Sequence, residues 1–333
     1  MGEDWRNLSA LVAGYGSIGR RHARVLGEIG LSDIRVAEPD ETLRSQAAEA
    51  FGAGRVFESY ENALESSPDT VFICTPTAMH VPQALEAVGL GMDVLVEKPL
   101  GLHPQECQEL ARATDGAGAI VMPAHCFRFH EGLLRAKSWL TAGRIGRVIS
   151  VRGIVGEYIP EPMPNYLNMA VSRCNGVYEL MHDIDIAIWF AGQKPEQVVA
   201  IDGSFGGLGM EAPDLVETLI RFPDRAVASV HLDFFERSRH RQTEVFGEKG
   251  TVIVEFASWD VCHLSLYSAE ERAWTHEEIA TERDDMFRDE DRAFLECAVS
   301  GARPPVTVED GALAVAVVEA SKQSSRTGRA VVL

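Results

Sequence analysis

Over residues 8–124, short apolar runs alternate with amphipathic stretches. The runs "LSALVAG", "DIRVAEP", "DTVFICTP", "DVLVEKP" and "AIVMPA" lack the every-second-residue alternation of a strand with one wet face. Strands of that kind are covered on both sides, which predicts a parallel sheet flanked by helices. The stretches between them, Ser17–Ile29, Glu41–Phe51, Ala78–Gly89 and Pro104–Ala113, read as those helices. Residues 1–124 are therefore expected to form a doubly wound α/β domain of the Rossmann type.

The texture changes after residue 125. A helix, "EGLLRAKSWLTAG", is followed by the apolar run "RVISVRGIVGEY" and a second helix, "GVYELMHDIDIAIWFAG". Strand-like runs come next: "QVVAIDGSF", "DLVETLIRF", "AVASVHLDFF", "RQTEVFG", "GTVIVEF" and "VCHLSLY". Turns such as "FPDRA" and "GEKGT" join some of them, so antiparallel hairpins are expected. Two helices, at about 284–299 and 308–324, close the chain. Residues 125–333 thus read as one α+β domain for substrate binding and oligomerisation, with a large, mostly antiparallel open sheet and helices on one face.

Composition narrows the functions. With 46% hydrophobic and 24% charged residues the chain is an ordinary globular one, and its net charge of −19 argues against a nucleic-acid partner. The six cysteines are scattered without a C-x-x-C pair, which fits reduced thiols and a cytoplasmic protein. The N-terminal segment has neither a secretory nor a twin-arginine pattern, and no apolar run approaches the ~20 residues that span a bilayer. No membrane partner is expected. No His/Cys cluster has zinc spacing, so no metal is expected either.

The strongest local signal is "LVAGYGSIGRRHARVL". Gly14 permits a tight turn, Gly16 lets backbone approach a pyrophosphate, and Gly19 lets helix and strand pack closely. The segment Gly14, Tyr15, Gly16, Ser17, Ile18 and Gly19 then presents a helix N-terminus to the phosphates. Glu38, 19 residues after Gly19, falls where the dinucleotide fingerprint places its ribose-binding acid. A carboxylate there accepts from a free 2′-hydroxyl and repels a 2′-phosphate, so NAD is expected over NADP. Arg20, Arg21 and Arg44 lie near enough in sequence to bear on that choice.

A second helix signal carries chemistry. Glu179, His182 and Asp185 recur at three-residue steps, which places neighbours on one helix face. A histidine between two carboxylates holds its proton more tightly than a free imidazole, as suits a group that takes and returns a hydroxyl proton. A satisfied core histidine is the competing reading.

With the glycine turn, "FICTPTAMH" and "VLVEKPLG" in hand, the chain resembles the glucose–fructose oxidoreductase/inositol dehydrogenase family, Gfo/Idh/MocA, over nearly its whole length. "GVYELMHDIDIAIWFAG" is similar to the family's active-site helix. The resemblance implies an NAD(P)-dependent oxidoreductase of sugars, cyclitols or their derivatives. It implies that Lys98, at a strand's carboxyl end, faces both nicotinamide and substrate, with Glu97 on the cofactor side and a cis Lys98–Pro99 bond fitting the chain's exit. It makes His182 the general base, oriented by Asp185 or Glu179; the acid some members carry four residues before the histidine is Tyr178 here. It puts Cys74, Thr75 and Pro76 along the cofactor and His80 near the nicotinamide, although His80 suits a helix N-terminal role equally. Arg128 is assigned to the carboxamide or substrate, or else to pinning the domain junction.

Tyr158 and Tyr166, with Asn165 and Arg173, lie in an irregular proline-rich run of the kind that lines substrate pockets. Arg237, Arg239 and Arg241 fall on one strand face, which is either an anion pocket or an exposed or intersubunit surface. Two other functions use this architecture: a glycosidase that oxidises and re-reduces its substrate with no net change in NAD, and a dinucleotide-binding sensor, which would be expected to lose the Lys or His that are present here. An uncovered sheet face leads us to expect a homodimer or homotetramer.

Overall fold

The computed structural model of the protein describes residues 4–169 and 171–333. Among these residues the chain forms two compact units. One comprises the chain up to Phe129 together with Asp284–Val315; the other comprises His130–Arg283 and Ala316–Leu333.

In the first unit, β1 (Ser9–Ala13), β2 (Asp33–Ala37), β3 (Val56–Phe57), β4 (Thr70–Ile73), β5 (Asp93–Glu97) and β6 (Val121–Ala124) form a parallel sheet in the order β3-β2-β1-β4-β5-β6. Every residue of β1, β4 and β6 is buried, which is why these runs show no alternation. The helices are α1 (Ser17–Ile29), α2 (Glu41–Phe51), α3 (Tyr60–Leu64), α4 (His80–Gly89) and α5 (Pro104–Ala117). α1 and α2 have the expected bounds, whereas a short 3₁₀ turn, Thr77–Met79, precedes α4. The Lys98–Pro99 peptide is cis.

The second unit begins with α6 (Glu131–Thr141), β7 (Val148–Gly156) and α7 (His182–Ala191). The strands β8 (Gln197–Gly203), β9 (Leu215–Arg221), β10 (Val227–Asp233), β11 (His240–Gly247), β12 (Gly250–Glu255), β13 (Val261–Ser268) and β14 (Ala273–Ala280) follow. With β15 (Val331–Val332) at one edge they make a nine-stranded sheet, β14-β13-β12-β11-β7-β10-β9-β8-β15. Only β7 and β10 pair in parallel; "FPDRA" and "GEKGT" close the β9–β10 and β11–β12 hairpins as anticipated. α6 packs on β12 and β13, and α7 on β7 and β10. Inward residues such as Val198, Ala200, Val216 and Ile220 are buried, while Val199, Ile201, Leu219 and Val227 stand on the opposite face and are exposed.

α8 (Asp285–Ser300) returns to the first unit, and α9 (Val308–Thr327) follows it. The placement of α8 is a packing outcome that periodicity along the chain does not reveal. Its apolar side carries Phe294, edge-on to Phe72 of β4 at 5.3 Å, and Phe287, edge-on to His22 of α1 at 5.6 Å.

Candidate active site

Strand register sets the candidate site of the first unit. Ala13 pairs with both Ala37 and Ile73, and Ile73 pairs with Val96. Glu38, Gly14, Cys74 and Glu97–Lys98 therefore leave the sheet along one edge, at its carboxyl ends, where the strand order reverses around β1. Ligands of open α/β sheets bind at such a switch point.

The three glycines of the turn have different physical reasons. Gly14 has φ +87°, and a Cβ there would lie 2.8 Å from the Cys74 carbonyl oxygen. A Cβ on Gly19 would overlap the Gly14 carbonyl oxygen. At Gly16, by contrast, φ is −67° and nothing lies within 4 Å of an added Cβ. The fold itself does not require glycine at that position, so the open space fits the close approach of a pyrophosphate. No side chain caps the α1 N-terminus, whereas Asp40 caps α2 through the Leu43 N–H. The uncapped N–H groups and the helix dipole are suited to phosphate oxygens.

Glu38 is buried at the end of β2. Its Oε2 accepts from the Tyr15 N–H at 2.6 Å and its Oε1 from the Asp40 N–H at 2.9 Å, so the acid fixes the glycine turn while retaining unused lone pairs. The nearby arginines have other work. Arg44 donates to the Glu38 and Pro39 carbonyls, Arg20 to Gln46, and Arg21 pairs with Asp284.

Beyond β4, Cys74 is buried, and the Thr75 hydroxyl donates to Gln83 at 2.7 Å. His80 is buried with Nε2 2.7 Å from the Thr75 carbonyl and Nδ1 2.8 Å from the Pro99 carbonyl. Both partners only accept, so whichever ring nitrogen carries hydrogen donates. His80 thereby ties the turn after β4 to the turn after β5.

Lys98 is half-buried at the β5 end. The Glu97 side chain, expected toward the cofactor, is turned inward: Oε2 accepts from the Lys98 N–H at 2.8 Å, and Oε1 lies 3.2 Å from His22 Nε2. His22 Nδ1 lies 2.8 Å from Asp291 of α8. Neither His22 nor Asp291 stood out in the sequence. His22, Glu290 and Asp291 have ligand-type atoms within 4.8 Å of one another, but both ring nitrogens of His22 already serve carboxylates. Arg128 is buried and pairs with Asp310 of α9 at 3.2 Å. Burial works to raise the Asp310 pKa, but the Arg128 charge and Thr307 bring it below the usual carboxylate range.

In the second unit, the expected continuous helix over 176–192 is broken. Gly176 takes φ +55° beside the Pro213 backbone, and Gly176–Leu180 forms a 3₁₀ turn, so α7 begins at His182. His182 is half-buried and Asp185, one turn later, is buried. Glu179 lies on the preceding turn, where Oε1 accepts from Asn175 at 2.8 Å. The Tyr166 hydroxyl donates to the Leu208 carbonyl at 2.6 Å, and the Arg237 guanidinium stacks 3.6 Å above the Tyr158 ring.

Arg241 does not share a basic face with Arg237 and Arg239. It is buried, and its Nη2 donates to Asp183 of α7 at 2.9 Å. Burial pushes the Asp183 pKa up to about 6 against the pull of Arg241, and Oδ1 of Asp183 has no hydrogen-bond partner among the described residues. Removing one member of such a pair strands the other. Arg241→Met is expected to cost about 3 kcal/mol in thermal unfolding, and Arg241→Met with Asp183→Leu to recover more than half of it.

Comparison with known proteins accounts for both units. Residues 8–125 match the family model described as the oxidoreductase family with an NAD-binding Rossmann fold, and residues 133–253 match the GFO/IDH/MocA C-terminal domain. The chain is 26% identical over 285 residues to a 1,5-anhydro-D-fructose reductase of Ensifer adhaerens, covering 84% of each protein. It is 26% identical over 340 residues to a myo-inositol 2-dehydrogenase of Thermotoga maritima, covering 97% of each. A solved levoglucosan dehydrogenase, in complex with NADH and levoglucosan, has the same fold with a TM-score of 0.86 at 20% identity, over 98% of this chain and 99% of that one.

Proposed function

Because the chain belongs to the Gfo/Idh/MocA oxidoreductase family and carries its NAD-binding Rossmann domain, we propose that it transfers a hydride between NAD and a secondary hydroxyl of a sugar, cyclitol or related polyol. The observation that carries this reading is the carboxyl edge of the first sheet, where the open space at Gly16 at the α1 N-terminus, the Glu38 acid after β2 and Lys98 after β5 lie along one edge. Glu38 favours an unmodified ribose, and Arg20, Arg21 and Arg44 are engaged elsewhere, which supports NAD over NADP.

The nicotinamide, when bound, supplies the hydride acceptor. The protein's own part is to hold the alcohol and manage its proton. Lys98 donates to the hydroxyl oxygen and stabilises its growing negative charge as the C–H bond breaks. His182 takes the hydroxyl proton and returns it in the reverse direction, with Asp185 or Glu179 as the acid that sets its orientation. Tyr158, Tyr166 and Arg128 are proposed to shape the polyol's surroundings.

The test is a panel of myo-inositol and levoglucosan with NAD, and 1,5-anhydro-D-fructose with NADH, followed at the NADH absorbance with chromatography of products. Net change in NADH matched by a carbonyl or alcohol product supports the dehydrogenase. Release of an aglycone from a glycoside without net NADH would point instead to the glycosidase reading. His182→Asn is expected to lower kcat by about 10²- to 10⁴-fold, read in the same assay.

The uncovered face of the large sheet, with Ile201 at 62% exposure and Leu219 at 52%, is proposed to bury against a second copy of the chain. Light scattering should return a dimer or tetramer, and Ile201→Glu with Leu219→Glu should shift it toward monomer. A monomeric wild-type protein would contradict this.

A further inference from the structure

The group behind β5 has no place in the reaction as proposed above. His22 is fully buried in α1, enclosed by Phe72, Phe287 and two carboxylates. Its ring spans from Asp291 on α8 to Glu97 on β5, at 2.8 and 3.2 Å. Glu97 passes the contact on, because its second oxygen accepts the Lys98 backbone N–H at 2.8 Å. Glu290 completes the cluster, fully buried, with neither carboxyl oxygen hydrogen-bonded among the described residues.

The electrostatics of the cluster follow from burial and from these contacts. Burial works to lower the His22 pKa, yet the two carboxylates hold it well above the ordinary imidazole value. Burial works to raise that of Glu97, but His22 and then Lys98 bring it below the usual range. Burial drives the Glu290 pKa well above the ordinary value. Burial also raises the Asp291 pKa, against the pull of His22. The geometry sets the ring within hydrogen-bond reach of both acids, in a buried site where such contacts are strong.

We propose that His22 is a positioning residue for Lys98, acting through the Glu97 carboxylate, with Asp291 as its anchor on α8. The same helix, α1, has the uncapped N-terminus proposed for the pyrophosphate, so one element would set both the cofactor's phosphates and the strand end that carries the amine. This inference rests on the proposed role of Lys98, but its test does not require turnover.

Competitive labelling of lysine amines with acetic anhydride, read by mass spectrometry on the NAD-loaded protein, compares Lys98 with the exposed Lys194 and Lys249. In His22→Gln, Lys98 reactivity is expected to change by at least about threefold while the two controls stay constant. Asp291→Asn keeps the side-chain shape and should shift Lys98 in the same direction by a smaller factor, which preserves the test should His22→Gln fold poorly. Lys98 labelling as in wild type in the folded variants would overturn the inference. Once a turned-over polyol is known, kcat in His22→Gln should fall about tenfold or more, with KM nearly unchanged and no further loss in a Lys98→Met background. Additive losses would indicate a merely structural role. Near-normal turnover by Lys98→Met alone would instead sink the functional reading and leave the labelling result standing.

Discussion

Lys98→Met is expected to lower kcat by about 10³-fold while leaving the NAD dissociation constant within about threefold of wild type. The methionine fills similar volume at the half-buried end of β5 but cannot donate to an oxygen that is gaining negative charge. A donor aimed at developing charge contributes chiefly in the transition state, so the loss falls on kcat and not on cofactor affinity. The Glu97 carboxylate takes the Lys98 backbone N–H, a contact that survives the substitution and keeps the strand end in place. Steady-state kinetics with a turned-over polyol, together with calorimetric titration of NAD, check both halves. A loss of NAD binding equal to the loss in kcat would move Lys98 from the reaction to the cofactor's binding.

The second large effect separates two glycines of one turn. Gly19→Ala drives a methyl into the Gly14 carbonyl oxygen, a backbone atom that no rotamer change can move aside. It should cost about 3 kcal/mol and lower the melting temperature by roughly 5–10 °C. Gly16→Ala meets nothing within 4 Å at an ordinary φ of −67°, so the melting temperature of the free protein should hardly change. The same methyl would occupy the space assigned to the pyrophosphate, and NAD affinity should fall by at least about tenfold. Scanning calorimetry without NAD and titration with NAD measure the two effects separately. If Gly16→Ala bound NAD normally, the open space at that turn would not be the phosphate site.

Much of the first unit was legible because its chemistry is local. Fully buried strands show as unbroken apolar runs, and a strand–glycine–helix turn has few other uses. The acid at the end of β2 follows from its spacing after the glycine turn, whereas the role of the lysine at the end of β5 comes from the family resemblance. What escaped notice depends on contacts distant in sequence. His22 and Asp291 are 269 residues apart, and nothing in α1 or α8 alone marks either as half of an ion pair. The inward turn of Glu97 follows from that same pair, which is why a motif reading sends it to the cofactor.

In the second unit the hairpins were visible from their turns, whereas β14, "AWTHEEIA", was not. It is a largely exposed edge strand with charged residues toward both faces, and such a strand carries no apolar stripe. The spacing of Glu179, His182 and Asp185 suggested one helix face. Gly176 instead adopts a left-handed conformation against the Pro213 backbone and delays the helix until His182. Arg241 read as one of three cations on a shared face because its partner, Asp183, is 58 residues earlier in the chain.

The central claim is that the Lys98 amine and the His182 imidazole serve a single hydroxyl beside the nicotinamide. A crystal structure of the protein with NADH and a polyol that it oxidises tests this most directly. The account predicts one substrate oxygen within about 3.2 Å of both Lys98 Nζ and a His182 ring nitrogen, with its carbon facing the nicotinamide ring. A polyol held by only one of the two residues, or with its reacting carbon turned from the ring, would contradict it.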